Sequence, residues 1–334
     1  MKCTQCGGLA VLNMPQHRLK LCAEHLPAWV RKMVERTIAK YGMFAPHDRI
    51  LVAVSGGKDS LTLWDVLIRL GYQTAGLYIH LGIDHHGYSD RSQEHAAAFA
   101  AQHGDLALHV VNVRQTYGLA VPELPTARHG RHMCSACGLV KRHIMNRMAY
   151  EGGYAAVATG HQLDDEAAVL MQNTLHWSAG YLRRQAPVLP ATHPRLARKV
   201  KPLCHLYERE TAAYALVMGL DYIDQECPHA QGAATIYYKG LLNQIEHRSP
   251  GAKLQFYLAY LRAKEEGLFA PASDAAASAG AAPDTAASDA AASDATASDA
   301  AEAADAMETC RQCGQPTVAA GLCAFCRLWQ ARPA

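Results

Sequence analysis

A chain of 334 residues, half of them apolar, is long enough to bury a full α/β core with small appendages. It has no apolar run of transmembrane length and no signal-peptide segment behind MKCTQCGG, so a membrane partner is excluded, cytoplasmic residence is expected, and its eleven cysteines, eight of them in CxxC pairs, read as metal ligands rather than disulfides. The formal charge of +2 hides a division: eight acidic and no basic residues fall in 270–309, leaving 32 basic against 22 acidic residues elsewhere, a balance of +10 that suits a phosphate backbone.

In chain order, Cys3 and Cys6 followed by Cys22 and His25 form CxxC…CxxH. Four such ligands close a tetrahedral Zn²⁺ site with no open position, which predicts a structural zinc finger over 1–28, with free thiols as the alternative. Residues 26–41 read as a helix. Residues 50–54, ILVAV, have the length and β-branched content of a buried strand, and they run into SGGKDS (55–60) and then an apolar-periodic helix over 61–70. Gly56 and Gly57 let the backbone turn tightly and approach a ligand, while the amides of the next helix point into the loop, so an anion belongs there. A Walker loop is excluded, because it needs four residues between Gly and Gly-Lys. SGGKDS resembles the PP-loop of the ATP-pyrophosphatase family. That resemblance implies ATP with Mg²⁺, and chemistry that converts an oxygen into a leaving group.

Residues 74–81 read as a second parallel strand, 90–103 as a helix and 106–113 as a third strand. Ligands of doubly wound folds sit outside the carboxyl ends of the strands, which puts backbone near Ile79 beside the adenine. His85, His86 and His103 are expected at the surface. Residues 133–148, MCSACGLVKRHIMNRM, read as a helix carrying Cys134, Cys137 and, four residues on and on the same face, Lys141. A fourth strand over 154–159 turns through TGHQLDDEA, setting Gly160 and Asp165 at a strand end beside the nucleotide; acids in a first helical turn also simply favour the dipole. A short strand at 199–203, a helix at 208–218, a polar loop at 224–233 holding Cys227, and helices at 235–247 and 252–266 follow. The low-complexity tract 270–309 reads as an acidic linker, and Cys310, Cys313, Cys323 and Cys326 beyond it form CxxC…CxxC, a zinc finger over 310–334. The fold class is α/β, with a doubly wound parallel sheet over 29–269 between two zinc knuckles.

With the eight zinc ligands set aside, Cys134, Cys137 and Cys227 have an evident logic, since three thiolates hold a [4Fe-4S] cluster and leave one iron open. A third zinc site using Cys204, His132 or His229 as the fourth ligand and a redox CxxC remain alternatives. The ordered set CxxC…CxxH, SGGKDS, CSACGLVKR, TGHQLDDEA, ECP and CxxC…CxxC resembles the TtuA-type family of tRNA 2-thiouridine synthetases, over 1–267 and again over 310–329. The resemblance implies the cluster on Cys134, Cys137 and Cys227, catalytic roles for Lys58, Lys141 and Asp165, and nucleotide contacts from Ala53, Val54, Ser55, Gly56, Gly57, Lys58, Asp59, Ser60, Ile79, Lys141, Gly160 and Asp165. It further implies tRNA as substrate, thiolated at the 2-oxygen of a uridine such as the T-loop 5-methyluridine at tRNA position 54, with sulfur from a ubiquitin-like carrier ending in a thiocarboxylate, and a homodimer. Two features depart from the family: the long acidic tract before the last knuckle, and Cys204 where relatives have an aromatic residue. Thiolation of the wobble uridine and a non-catalytic RNA-binding role are the competing expectations.

Overall fold

In the computed structural model, which describes residues 1–124, 133–230, 234–269 and 307–330, the apolar run at 50–54 lies in the middle of a six-stranded sheet. The chain begins with a hairpin of β1 (Leu12–Met14) and β2 (Leu19–Leu21), then α1 (His25–Lys40). Next come β3 (Arg49–Ala53), α2 (Lys58–Arg69), β4 (Gln73–His80), α3 (Tyr88–Gln102), β5 (Leu108–Asn112) and a short α4 (Val113–Tyr117). They are followed by α5 (Met133–Glu151), β6 (Ala156–Thr159), α6 (Leu163–Leu175), α7 (Ala179–Arg184), β7 (Val188–Leu189) and β8 (Lys199–Val200). The helices α8 (Glu208–Val217), α9 (Ala234–Arg248) and α10 (Ala252–Glu265) complete the core, and β9 (Glu308–Thr309), β10 (Pro316–Thr317) and α11 (Ala324–Gln330) form the C-terminal knuckle.

The strand order is β5-β4-β3-β6-β8-β7, parallel except for β7, which runs antiparallel to β8 at the edge. Ile50, Leu51 and Val52 are all fully buried, as a continuous apolar run must be when helices cover both faces of a parallel sheet. Strand order reverses between β3 and β6, so a crevice opens outside the carboxyl ends of these two strands. No helix among the described residues is long and apolar enough to cross a membrane.

Both knuckles pack onto the core. Met14, Leu21 and Leu26 share one hydrophobic cluster with Ile50, Val52 and Leu63. At the other end, Phe325 stacks on the His143 ring with centroids 3.6 Å apart, the Trp329 indole donates to the Tyr117 carbonyl at 2.7 Å, and Arg195 donates to the Gly314 carbonyl at 2.7 Å. The C-terminal knuckle is therefore seated on α5 whatever the length of the tract before it; residues 270–306 of that tract lie outside the described residues.

The expected helices and strands are all present, with the third, fourth and fifth strands shorter than expected, while α4, α7, the edge strand β7 and the short elements inside the two knuckles (β1, β2, β9, β10 and α11) are additions. His103 corrects its surface assignment. It is partly buried and reaches the wholly buried Asp65 carboxylate at 3.1 Å, where Arg69 and Tyr214 also bind. His85 and His86 are exposed, as expected.

Candidate active site

The chain leaves β3 by way of Ala53 and Val54, whose amide still bonds the Leu77 carbonyl at 2.9 Å. It then turns through Gly56 at φ +77°, where a Cβ would stand 2.3 Å from the Ser92 carbonyl oxygen, so only glycine lets the loop press against α3. Ser60 Oγ accepts from the Ser55 amide at 3.1 Å and donates to the Gly57 carbonyl at 2.9 Å, which braces the loop from inside. Gly57 brings no side-chain cap to α2, so the first amides of that helix are available to an anion. The loop after β6 closes the other wall. A Cβ on Gly160 would lie 2.9 Å from the Ser60 amide and 3.0 Å from the Asp59 carbonyl carbon, so the two expected nucleotide loops touch backbone to backbone. Ile79 lies near the carboxyl end of β4, opposite Val111 on β5.

Charges are strung across this crevice in alternation. Lys58 Nζ is 3.0 Å from Asp59 Oδ2 and 2.9 Å from Glu208 Oε1. Lys239 Nζ is 3.2 Å from Glu208 Oε2 and 2.6 Å from Asp165 Oδ1. Burial works against the Lys58 ammonium, but Asp59 and Glu208 outweigh it and hold the pKa above its ordinary value. Burial also pushes Asp59 up, opposed by Lys58 and by a 2.5 Å hydrogen bond donated by Thr211. For Glu208, burial would raise the pKa, and Lys58 and Lys239 more than reverse it, holding it down to about 2. Asp165 Oδ2 also caps α6 by accepting from the Gln162 amide at 3.2 Å. Its neighbours are buried in pairs: Asp164 with Lys253, and Glu166 with Lys201 at 2.8 Å.

Glu208, Thr211 and Lys239 were invisible to sequence reasoning. Each is a polar residue on a helix whose place beside the loop exists only in the folded chain.

The thiol group lies behind the same wall. The Ile223 amide donates to the Gly56 carbonyl at 2.9 Å, which ties the segment holding Cys227 to the phosphate loop. Cys134 Sγ donates to the His229 carbonyl at 3.4 Å, so the start of α5 meets that segment. The Cys137 charge raises the Lys141 pKa, against burial, with Tyr88 and Cys227 adding to it. Burial raises the Cys134 pKa, and Cys137 and Cys227 raise it further. Burial likewise raises the Tyr88 pKa, with Cys227 and Cys137 adding to it and Lys141 opposing. Three thiols, one ammonium and one phenol therefore lie within electrostatic reach of one another. Tyr88 is a member of that group that sequence reasoning missed.

Cys204 stands apart, fully buried with Leu163, Tyr207 and Tyr257, whereas Cys137 and Cys227 pack against a different cluster. That removes Cys204 as a fourth ligand beside them; His132 lies outside the described residues.

Two groups of metal-ligating side chains are closed. Cys3, Cys6, Cys22 and His25 offer ligand atoms all within 4.8 Å of one another, and so do Cys310, Cys313, Cys323 and Cys326. Four such donors around one point fit a single tetrahedral ion. Cys134, Cys137 and Cys227 make no group that tight among the described residues. A multinuclear cluster, in which each thiolate binds a different metal atom, does not require three thiolates to converge on one point.

Residues 30–231 match the family described as the PP-loop domain, and residues 2–27 match the 2-thiouridine synthetase TtuA, N-terminal LIM domain. The chain is 45% identical over 331 residues to the tRNA-5-methyluridine(54) 2-sulfurtransferase of Thermus thermophilus, covering 99% of this chain and 92% of the relative. It is 37% identical to the protein of the same name from Thermotoga maritima, covering 98% and 96%. Its fold is like that of the U34-tRNA thiolase NcsA from Methanococcus maripaludis, solved with its [4Fe-4S] cluster, with a TM-score of 0.70 at 24% identity over 79% of this chain and 88% of that one. The chain belongs to the TtuA-type 2-thiouridine synthetases of the PP-loop family.

Proposed function

We propose that this protein is an ATP-dependent tRNA sulfurtransferase that replaces the 2-oxygen of the T-loop 5-methyluridine at position 54 with sulfur. The observation that carries this reading is the join between the two centres: the Ile223 amide bonds the phosphate loop at Gly56, four residues before Cys227. The name borne by relatives at 45% and 37% identity supports the same substrate.

The α2 amides and Lys58 would receive the phosphates of ATP, and Asp165, released from Lys239, would hold Mg²⁺ or take up a proton. The uracil 2-oxygen attacks the α-phosphorus, forming an O–P bond as pyrophosphate leaves. Lys58 and Lys141 offset the charge that develops there. Sulfide then adds to carbon 2, and AMP departs with the former carbonyl oxygen. Cys134, Cys137 and Cys227 would hold a [4Fe-4S] cluster, which supplies an exchangeable iron position for sulfide. The two four-ligand knuckles would hold structural Zn²⁺. A thiocarboxylated ubiquitin-like carrier as sulfur donor, a homodimeric state and cytoplasmic residence complete the proposal.

Thiolation of the wobble uridine is the second reading, supported by the fold shared with the U34-tRNA thiolase. Pyrophosphate release on adding tRNA to protein and ATP, followed by mass spectrometry of the thiolated nucleotide, tests both. Thiolated 5-methyluridine supports the first reading, thiolated wobble uridine replaces it with the second, and absence of pyrophosphate makes the protein a binder.

A further inference from the structure

We propose that Glu208 is a positioning residue for adenylation: it fixes the Lys58 ammonium at the phosphate loop, and the N-terminal knuckle, through Gln16 and Glu210, fixes the helix that carries it. This rests on the adenylation proposed above.

Lysine side chains are long and lose much rotamer freedom when held, so a preorganised ammonium needs a partner that is itself fixed. Glu208 meets that need. It is the first residue of α8, its carboxylate bridges Lys58 at 2.9 Å and Lys239 at 3.2 Å, and its amide donates to Asp164 Oδ2 at 2.9 Å. One turn on, Thr211 donates to Asp59, so α8 grips both charged residues of the SGGKDS loop.

The place of α8 is set from its far side. Glu210 is fully buried, and its Oε2 caps the helix by accepting from the Tyr207 amide at 2.9 Å. Its Oε1 accepts from Gln16 Nε2 at 2.7 Å, with His17 Nε2 3.1 Å away. Arg209 donates back to the Asn13 carbonyl and to Gln16 Oε1. Gln16 and His17 sit in the connection between β1 and β2, between the two ligand pairs of the N-terminal metal group. The knuckle thus has a route to the nucleotide loop that does not involve RNA: metal group, β1–β2 connection, Glu210, Glu208, Lys58.

Glu208→Gln keeps the shape and removes the charge. The two ammonium groups then still attract ATP but keep only Asp59 and Asp165 as partners, so kcat for pyrophosphate release in the presence of tRNA should fall about tenfold or more while KM for ATP stays level or drops and circular dichroism shows the fold intact. Gln16→Ala should lower kcat in the same direction, about threefold, with unchanged metal content. Wild-type kcat in Glu208→Gln, or a loss matched by a raised KM for ATP, overturns the positioning role. Wild-type kcat in Gln16→Ala overturns the route through the knuckle. The unsubstituted protein is the control: if it releases no pyrophosphate, the adenylation reading has failed, and if it does while Glu208→Gln matches it, only this inference has.

Discussion

Lys239 Nζ lies 2.6 Å from Asp165 Oδ1, so a cation from α9 occupies the acidic turn that follows β6. The same ammonium reaches Glu208, which in turn reaches Lys58, and four separate helices are thereby joined by charge at one crevice.

That arrangement predicts a pH dependence of stability. The folded Glu208 is held at about 2, below the ordinary carboxylate value of 4.5, because Lys58 and Lys239 outweigh burial. Its stabilising contribution is therefore complete above that ordinary value and is lost as pH falls toward the folded one. The urea midpoint of Glu208→Gln should fall less steeply over that window than that of the unsubstituted protein. Parallel curves would mean that the carboxylate is not held by its two partners.

Lys58→Ala, Lys141→Ala and Asp165→Ala should each abolish thiolation with the fold intact. Loss of one preorganised charged contact costs about 3 kcal/mol of transition-state stabilisation, roughly a hundredfold in rate. Circular dichroism checks the fold, and steady-state thiolation the rate. Full turnover in Lys141→Ala would remove it from the mechanism.

Gly160→Ala should damage nucleotide binding more than stability. Its Cβ meets backbone of Asp59 and Ser60 rather than a movable side chain, so the first turn of α2 must shift. Overpacking of this kind costs about 1–3 kcal/mol, which isothermal titration with ATP would read as roughly five- to a hundredfold weaker binding. Unchanged affinity would mean that this contact does not shape the phosphate site.

Phe325→Ala should release the C-terminal knuckle from α5. The ring stacks on His143 and touches both Tyr117 and Trp329, and removing a buried Phe costs about 3–5 kcal/mol. Quenching of Trp329 fluorescence by iodide should rise in the variant at native conditions, and equal quenching would contradict the docking.

Much of this was legible in the chain, because local patterns carry it. Apolar runs such as 50–54 announce strands buried on both faces, and SGGKDS announces a loop where backbone and anion meet. The edge strand β7 has two residues and no such pattern. Glu208 and Lys239 were illegible for a different reason: 31 positions apart, on two helices of ordinary composition, they meet only because α8 and α9 pack around one crevice. His103 looked like a solvent histidine because its partner, Asp65, is 38 positions away on α2.

We propose that three thiols beside the loop, and not Cys204, serve sulfur transfer. This is tested by reconstituting the unsubstituted protein, Cys204→Ser and Cys227→Ser anaerobically with iron and sulfide, then measuring bound iron and thiolated 5-methyluridine in added tRNA with ATP. Cys204→Ser should keep about four irons and full thiolation, while Cys227→Ser loses both. Loss of iron and thiolation in Cys204→Ser as complete as in Cys227→Ser would contradict the account.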